Sequence, residues 1–369
     1  MGGIAIKKSD SITVFQLILL SMTAIGLKNH VIIISPLIQT AGRDSWLSVI
    51  VSLFFVLLWV PLLIFIHKKT KQQHLNKWMQ KYTGKWLGNF IFFIVILYLT
   101  IIAGVTLRET ITWVNITFLP RTPFFLLAAC FALVCWMLAG TCLRTLSIVN
   151  VFLLFFIVLL GFFVSFTNIQ YKNFSLLMPF LEHGFRPVLK GTVYQCSGMV
   201  ELIFFLFLQH KTETPIRVGH LIIASIFLTL LTVGPLMGAV IEFGPVEASK
   251  QRFPPYEEWG LASLGNFIEH VDFLSIYQWL SGAFIRISLL LLLIREYLPF
   301  KQKRKWFLLI ILAAIIAISL LPISDFQFLR MLSAFILPFT LWFFLGLSVF
   351  LGLLAAIFER KVWRPNKDV

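Results

Sequence analysis

Ten stretches of mostly apolar residues separated by short connections dominate this chain: 12–34, 44–66, 88–108, 123–141, 145–167, 187–209, 217–241, 271–294, 306–322 and 331–357. A run of about 20 such residues rises about 30 Å as an α-helix, the thickness of a bilayer's hydrocarbon core. In hydrocarbon the backbone must satisfy its own hydrogen bonds, and a helix does so within one segment. The pattern predicts an all-α integral membrane protein with about ten transmembrane helices. Composition agrees: 13% of the 369 residues are charged, against about 25% in soluble domains. A net charge of +15 would suggest nucleic acid in a soluble protein. Here the basic residues sit in connections between apolar runs, so no nucleic-acid partner is expected and the lipid bilayer is the surrounding medium.

Orientation follows from those connections, because cytoplasmic loops carry an excess of Lys and Arg. With the N-terminus inside, the inner segments hold Lys7 and Lys8, the cluster from Lys68 to Lys85, Arg144, Lys211, Arg217, and the clusters at 295–305 and 360–367. The outer segments are poorer, with scattered residues such as Arg43, Arg121 and Arg252. Both termini are therefore expected in the cytoplasm. The apolar run after Lys8 is too long for a signal-peptide core, so it reads as a retained first span. Segments 70–86 and 256–270 read as interfacial. Four cysteines, Cys130, Cys135, Cys142 and Cys196, lack disulfide or metal spacing and read as small core residues.

Ten spans divide into five and five around the 168–186 connection. An odd number per half makes the second half enter the membrane from the opposite side. That arithmetic predicts one membrane domain, 1–369, built as a 5+5 inverted-repeat transporter-like fold with broken helices 1 and 6. The halves are 1–170 and 171–369. No sequence repeat accompanies the count, so a ten-span fold without repeats is the alternative.

The candidate site lies at those two breaks. Gly26 permits unwinding in the first span, and Lys28, Asn29 and His30 are expensive in hydrocarbon unless they face a cavity or water. The other possibility is a helix ending near Leu27 with Lys28 snorkelling to the interface. The sixth span is small and polar around Tyr194, Ser197 and Gly198, with Glu201 a turn later. Glu201 reads either as a ligand or coupling group or as a structural pair with Lys28 or Arg286. Arg286, mid-span in the eighth run and on one face with Trp279, reads as a packing ion pair or a ligand contact. Arg108–Glu109 reads as an ion pair closing the third span. Phosphate-loop, HExxH and GxSxG motifs are missing, so no catalytic residues are expected. His67, His74 and His210 are spread along the chain, and neither a metal site nor a cofactor is expected.

Certain residues carry a resemblance. Phe253-Pro254-Pro255-Tyr256-Glu257, then Gly265-Asn266-Phe267-Ile268-Glu269, then Trp279 and Phe284 resemble the signature around the eighth span of the spore-germination permease family. Ala41-Gly42-Arg43-Asp44-Ser45-Trp46-Leu47 and Pro187-Val188-Leu189-Lys190-Gly191 with Glu201 extend it over nearly the whole chain. The family comprises the B subunits of nutrient germinant receptors in endospore-forming bacteria, and it is similar to the amino acid–polyamine–organocation transporters. The resemblance implies the inverted-repeat fold, an inner spore-membrane location, and A-type and C-type partner subunits. It implies sensing of a small nutrient such as an amino acid, which triggers germination. Many members carry a Gly-rich stretch in the first-helix break where this chain has Lys28-Asn29-His30.

Two other readings stand beside the receptor subunit. One is a secondary amino-acid transporter coupled to protons through Glu201. The other is a structural subunit with a vestigial pocket. The connection 242–270 carries Glu242, Glu247, Glu257, Glu258 and Glu269 against Lys250 and Arg252. Glu257 and Glu258 are the expected contacts to a partner.

Overall fold

The computed structural model describes residues 10–263, 271–299 and 304–362. Lys7, Lys8, Lys301, Lys303 and the Gly265–Glu269 part of the family signature lie outside the described residues. In chain order the α-helices are α1 (Val14–Leu27), α2 (Ile34–Ala41), α3 (Ser45–Thr70), α4 (Leu75–Thr83), α5 (Lys85–Thr117), α6 (Phe124–Ala139), α7 (Leu143–Thr167), α8 (Phe185–Met199), α9 (Phe204–Leu208), α10 (Val218–Phe243), α11 (Pro245–Lys250), α12 (Pro254–Leu261), α13 (Leu274–Tyr297), α14 (Arg304–Ser319), α15 (Asp325–Met331) and α16 (Leu337–Val362). Among the described residues the β-structure is a single isolated bridge, Ile12 to Thr212.

Among the described residues, eight helical segments are long and apolar enough to cross a membrane, and two shorter apolar helices, Phe124–Ala139 and Trp306–Ser319, occupy the remaining predicted runs. The 33 residues of α5 extend about 50 Å at 1.5 Å per residue, longer than a bilayer core needs. The 16 residues of α6 reach only about 24 Å by the same rise. The third apolar run thus continues to Thr117, and Arg108 and Glu109 lie inside the helix instead of closing it.

Large apolar side chains cover the outer surface, and the polar residues of the spans are buried among apolar ones inside. Phe54, Phe152 and Phe155 are each more than 60% exposed, while Asn29, Asn150, Gln195, Glu201 and Thr232 are fully buried. Central helix α13 packs against α1, α5, α6 and α7, and α3 packs against α8, α10 and α16. From Ile287 to Ile294 every residue of α13 is buried. Its sequence there is apolar on all sides, the pattern of a helix surrounded by others.

Local chemistry sets the ends. Thr13 and Gln16 form a capping box at the start of α1, and Ser324 and Gln327 do the same for α15. Gly244, at φ 81°, turns the chain out of α10 into α11 in a conformation that side chains resist. Pro245 then occupies the first turn, where its missing N–H loses nothing. Of the predicted interfacial segments, 70–86 holds α4, packed on α5, and the described part of 256–270 begins in α12, which packs on α10.

Of the cysteines, Cys135 and Cys196 are buried as expected, but Cys130 is exposed on the outer face of α6. A small polarizable thiol is tolerated against lipid as readily as in a core.

Candidate functional site

The first span breaks where the sequence places its polar residues. Lys28–Ile32 form a π-helical turn between α1 and α2, a distortion common at functional sites. The sixth run breaks at Val200–Ile203, a 3-10 turn carrying Glu201 between α8 and α9. Both breaks are rewound turns, not unwound strands, and they lie against each other. The close crossing depends on Gly198: a methyl group there would overlap the Asn29 amide and stand 3.0 Å from Ile33 Cδ1.

Glu201 sits at the crossing in a closed ion cluster. Its Oε1 accepts hydrogen bonds from Lys28 Nζ at 3.0 Å and Arg286 Nη2 at 2.9 Å, and its Oε2 accepts one from Arg286 Nη1 at 2.6 Å. Lys28 also donates to the Ser197 carbonyl at 2.8 Å, and Arg286 to the Ala24 carbonyl at 2.7 Å and Thr106 Oγ1 at 3.1 Å. None of the three side chains is more than 5% exposed. Of the two alternatives for Glu201, the geometry is that of the structural pair, with both basic residues engaged at once. Lys28 points inward and does not snorkel.

A separate cavity of about 550 Å³ lies beside this cluster, walled by α1, α7, α10, α12 and α13. Gly26 and His30 line it, with Lys172, Tyr256, Glu258 and Trp279 among its other walls. Lys28, Asn29, Tyr194, Ser197, Gly198, Glu201 and Arg286 do not line it; all but the half-buried Tyr194 are buried at the crossing. His30 Nδ1 lies 3.1 Å from the Leu231 carbonyl, which fixes the ring at the wall.

Glu258, expected to contact a partner, is turned inward. It is buried, its Oε1 lacks a hydrogen-bond partner, and its Oε2 stands 2.6 Å from where a Cβ on Gly238 would lie. Burial, reinforced by nearby Glu242, holds its carboxyl well above the usual carboxylate range, with Lys172 opposing weakly. The α12 helix packs this face on α10, so Glu258 presents no charge to the surface. Its neighbour Glu257 is half-buried, and burial raises its carboxyl more moderately.

At the same end, the Phe253–Tyr256 motif is held by rings and charges. Trp279 stacks on Trp113 at 4.2 Å between ring centres and meets Phe253 edge-on at 5.3 Å. Arg252 joins Glu109 at 3.0 Å and Asp325 at 2.7 Å. Arg108 and Glu109 do not pair with each other as predicted. Arg108 instead donates to the carbonyls of Ser319, Leu321 and Ile323. Adjacent helical residues point about 100° apart, so each finds its own partner.

At the opposite end the fold gathers residues that are scattered in sequence. The rings of His74 and His210 come within 4.6 Å, beside Glu296. His67 turns elsewhere, with Nδ1 2.8 Å from Gln209 Oε1 and Nε2 accepting from the Ile216 amide at 3.0 Å.

The spore germination protein family matches residues 10–357. Spore germination protein XB of Bacillus anthracis is 42% identical over 92% of this chain and 95% of its own length. Spore germination protein GerQB of Bacillus cereus is 24% identical over 60% of this chain and 61% of its own. The breaks at Lys28 and Glu201 and the ring-clamped Phe253–Tyr256 motif are thus features of a chain that belongs to the spore germination protein family.

Proposed function

We propose that this chain is the membrane subunit of a nutrient-germinant receptor, binding a small nutrient such as an amino acid in the cavity beside the first-helix break. The observation that carries the reading is the coincidence of that cavity with Gly26 and His30. A bound molecule there touches α1, α10, α12 and α13 together. It favours whichever arrangement of these helices it fits better, and that difference in affinity is the signal. The reading is non-enzymatic and calls for no cofactor. Its relatives are named for spore germination, which supports the setting: a multi-pass protein of the inner spore membrane with both termini in the cytoplasm. Ten spans in a 5+5 inverted repeat, with A-type and C-type subunits as partners, complete the proposal.

The test is a thermal-shift screen of nutrients on the purified receptor complex. A nutrient should raise Tm in a concentration-dependent way, and His30→Ala should shift the effective concentration upward. A shift that His30→Ala leaves unchanged moves the site elsewhere. An impermeant thiol reagent that labels Lys71→Cys from outside the membrane reverses the topology.

The transporter reading draws on a different observation, the buried carboxylate Glu201 at the meeting of two broken helices. Proton-coupled amino-acid uptake by the chain with both partner genes deleted decides for it, and normal abundance without partners would remove the need for a complex.

A further inference from the structure

His74 caps the start of α4, His210 lies in the short turn after α9, and Glu296 is near the end of α13. One ligand-capable atom from each lies within 4.8 Å of the other two. Three imidazole nitrogens in this group are buried without a hydrogen-bond partner: His74 Nδ1, His210 Nδ1 and His210 Nε2. Buried polar atoms are nearly always satisfied, and an orphan invites the question of what satisfies it. Glu296 Oε2 stands 3.8 Å from His210 Nε2, too far for a hydrogen bond but facing it. Its other oxygen is engaged by Lys211 at 2.8 Å, and Lys211 is in turn held by Asp10 at 2.7 Å. That leaves Oε2 facing His210, with the His74 ring in the same group.

We propose that His74, His210 and Glu296 form a binding site for a divalent transition-metal ion of the zinc class. Two imidazoles and one carboxylate are a borderline donor set suited to Zn²⁺ or Co²⁺ and ill suited to Ca²⁺ or Mg²⁺, which take all-oxygen shells. Tetrahedral bonds near 2.1 Å set the ligand atoms about 3.4 Å apart, so modest side-chain rotations close the site. No hydrogen bond of His210 has to break for this. The His210 and Glu296 side chains are each 15% exposed, so an ion can reach them and a water can fill the fourth position. Nearby Lys211 and Arg295 oppose a second positive charge, and Asp10 offsets Lys211.

The consequence is mechanical. The three ligands come from the interfacial segment, the inner end of the broken sixth run and the central helix. An ion there clips these elements together at the end of the bundle opposite the ring-clamped Phe253 motif. Binding to the folded chain alone also stabilises it by mass action.

The test uses the full chain, purified in detergent and stripped with a chelator. Titration with Co²⁺ should give visible absorption that saturates at one ion per chain, and Zn²⁺ should displace it and raise Tm. His74→Gln, His210→Gln and Glu296→Gln should each weaken binding by at least about tenfold, since even outer-shell changes weaken metal sites by 10–100-fold. The exposed His183→Ala should leave it unchanged. Absence of saturable Co²⁺ and Zn²⁺ binding in the unmutated chain overturns the proposal, with no variant needed. Binding that survives all three substitutions overturns it equally.

Discussion

Two buried glutamates stand in opposite circumstances. Glu201 accepts three hydrogen bonds from two cations. Glu258 has a free carboxylate oxygen, an acidic neighbour in Glu242, and an open cavity in front of it. A buried carboxylate whose bonds are all made is a fastener, because displacing its partners strands their charges. A buried carboxylate with bonds left unmade is available to a ligand or a proton. The difference sets a fully bonded carboxylate at the crossing against an incompletely bonded one at the cavity.

The largest effect should come from opening the fastener. Glu201→Ala leaves Lys28 and Arg286 buried without a counter-charge, which destabilises by about 3–5 kcal/mol. The protein should accumulate poorly and melt earlier in detergent. Adding Arg286→Leu should recover part of the loss, because the two residues act as one unit. A Glu201→Ala chain of normal abundance and Tm would instead make the carboxylate a working group and favour the transporter reading.

A smaller effect follows from the crossing itself. Gly198→Ala forces Asn29 and Ile33 aside at the closest approach of α8 to the first-helix break, and overpacking of this kind destabilises by about 1–3 kcal/mol. Thermal melting measures it. An unchanged Tm would show that the two breaks can separate freely.

The smallest change sharpens the other side. The Glu258 carboxyl is raised in the fold by burial first and by Glu242 second. The folded state therefore binds its proton more tightly than the unfolded chain does. The stability this group contributes is full below the ordinary carboxylate pKa, about 4.3. It is lost as pH rises from there through the higher folded value. Glu258→Gln should flatten the fall in Tm between pH 5 and pH 8 and raise Tm at the upper end. Parallel pH curves for the two chains would mean that Glu258 titrates as it does in water. Asn168, which bonds Glu242 and the Glu258 carbonyl, and Lys172 are the other polar groups at that face.

The pattern of residues marked the ingredients of the site better than their arrangement. Lys28, Asn29, Glu201 and Arg286 were each legible as polar residues in apolar runs, since hydrocarbon tolerates them only with partners. The pairing of Glu201 with Lys28 or Arg286 was legible as one alternative, its engagement with both at once was not, and neither was the cavity, whose walls include ordinary residues such as Leu231, Gly234 and Trp259. Glu258 looked like surface acid because its segment is short and charged. Its burial depends on α12 lying over Gly238, a contact between distant parts of the chain. Arg108 and Glu109 looked like a pair because they are adjacent, and adjacency on a helix points side chains apart.

What the sequence by itself determined was the medium and the helices. Length and apolarity of a run are local properties, and in lipid they suffice to dictate an α-helix. The Phe253–Tyr256 motif and its companions also carried the family. Tertiary structure alone decided which charges meet. Lys28 and Glu201 stand 173 positions apart, and His74 and Glu296 are brought together from opposite halves of the chain. Such pairings depend on where helices cross, and crossing is set by side-chain packing over whole faces, where one glycine at the contact counts as much as the charges it admits.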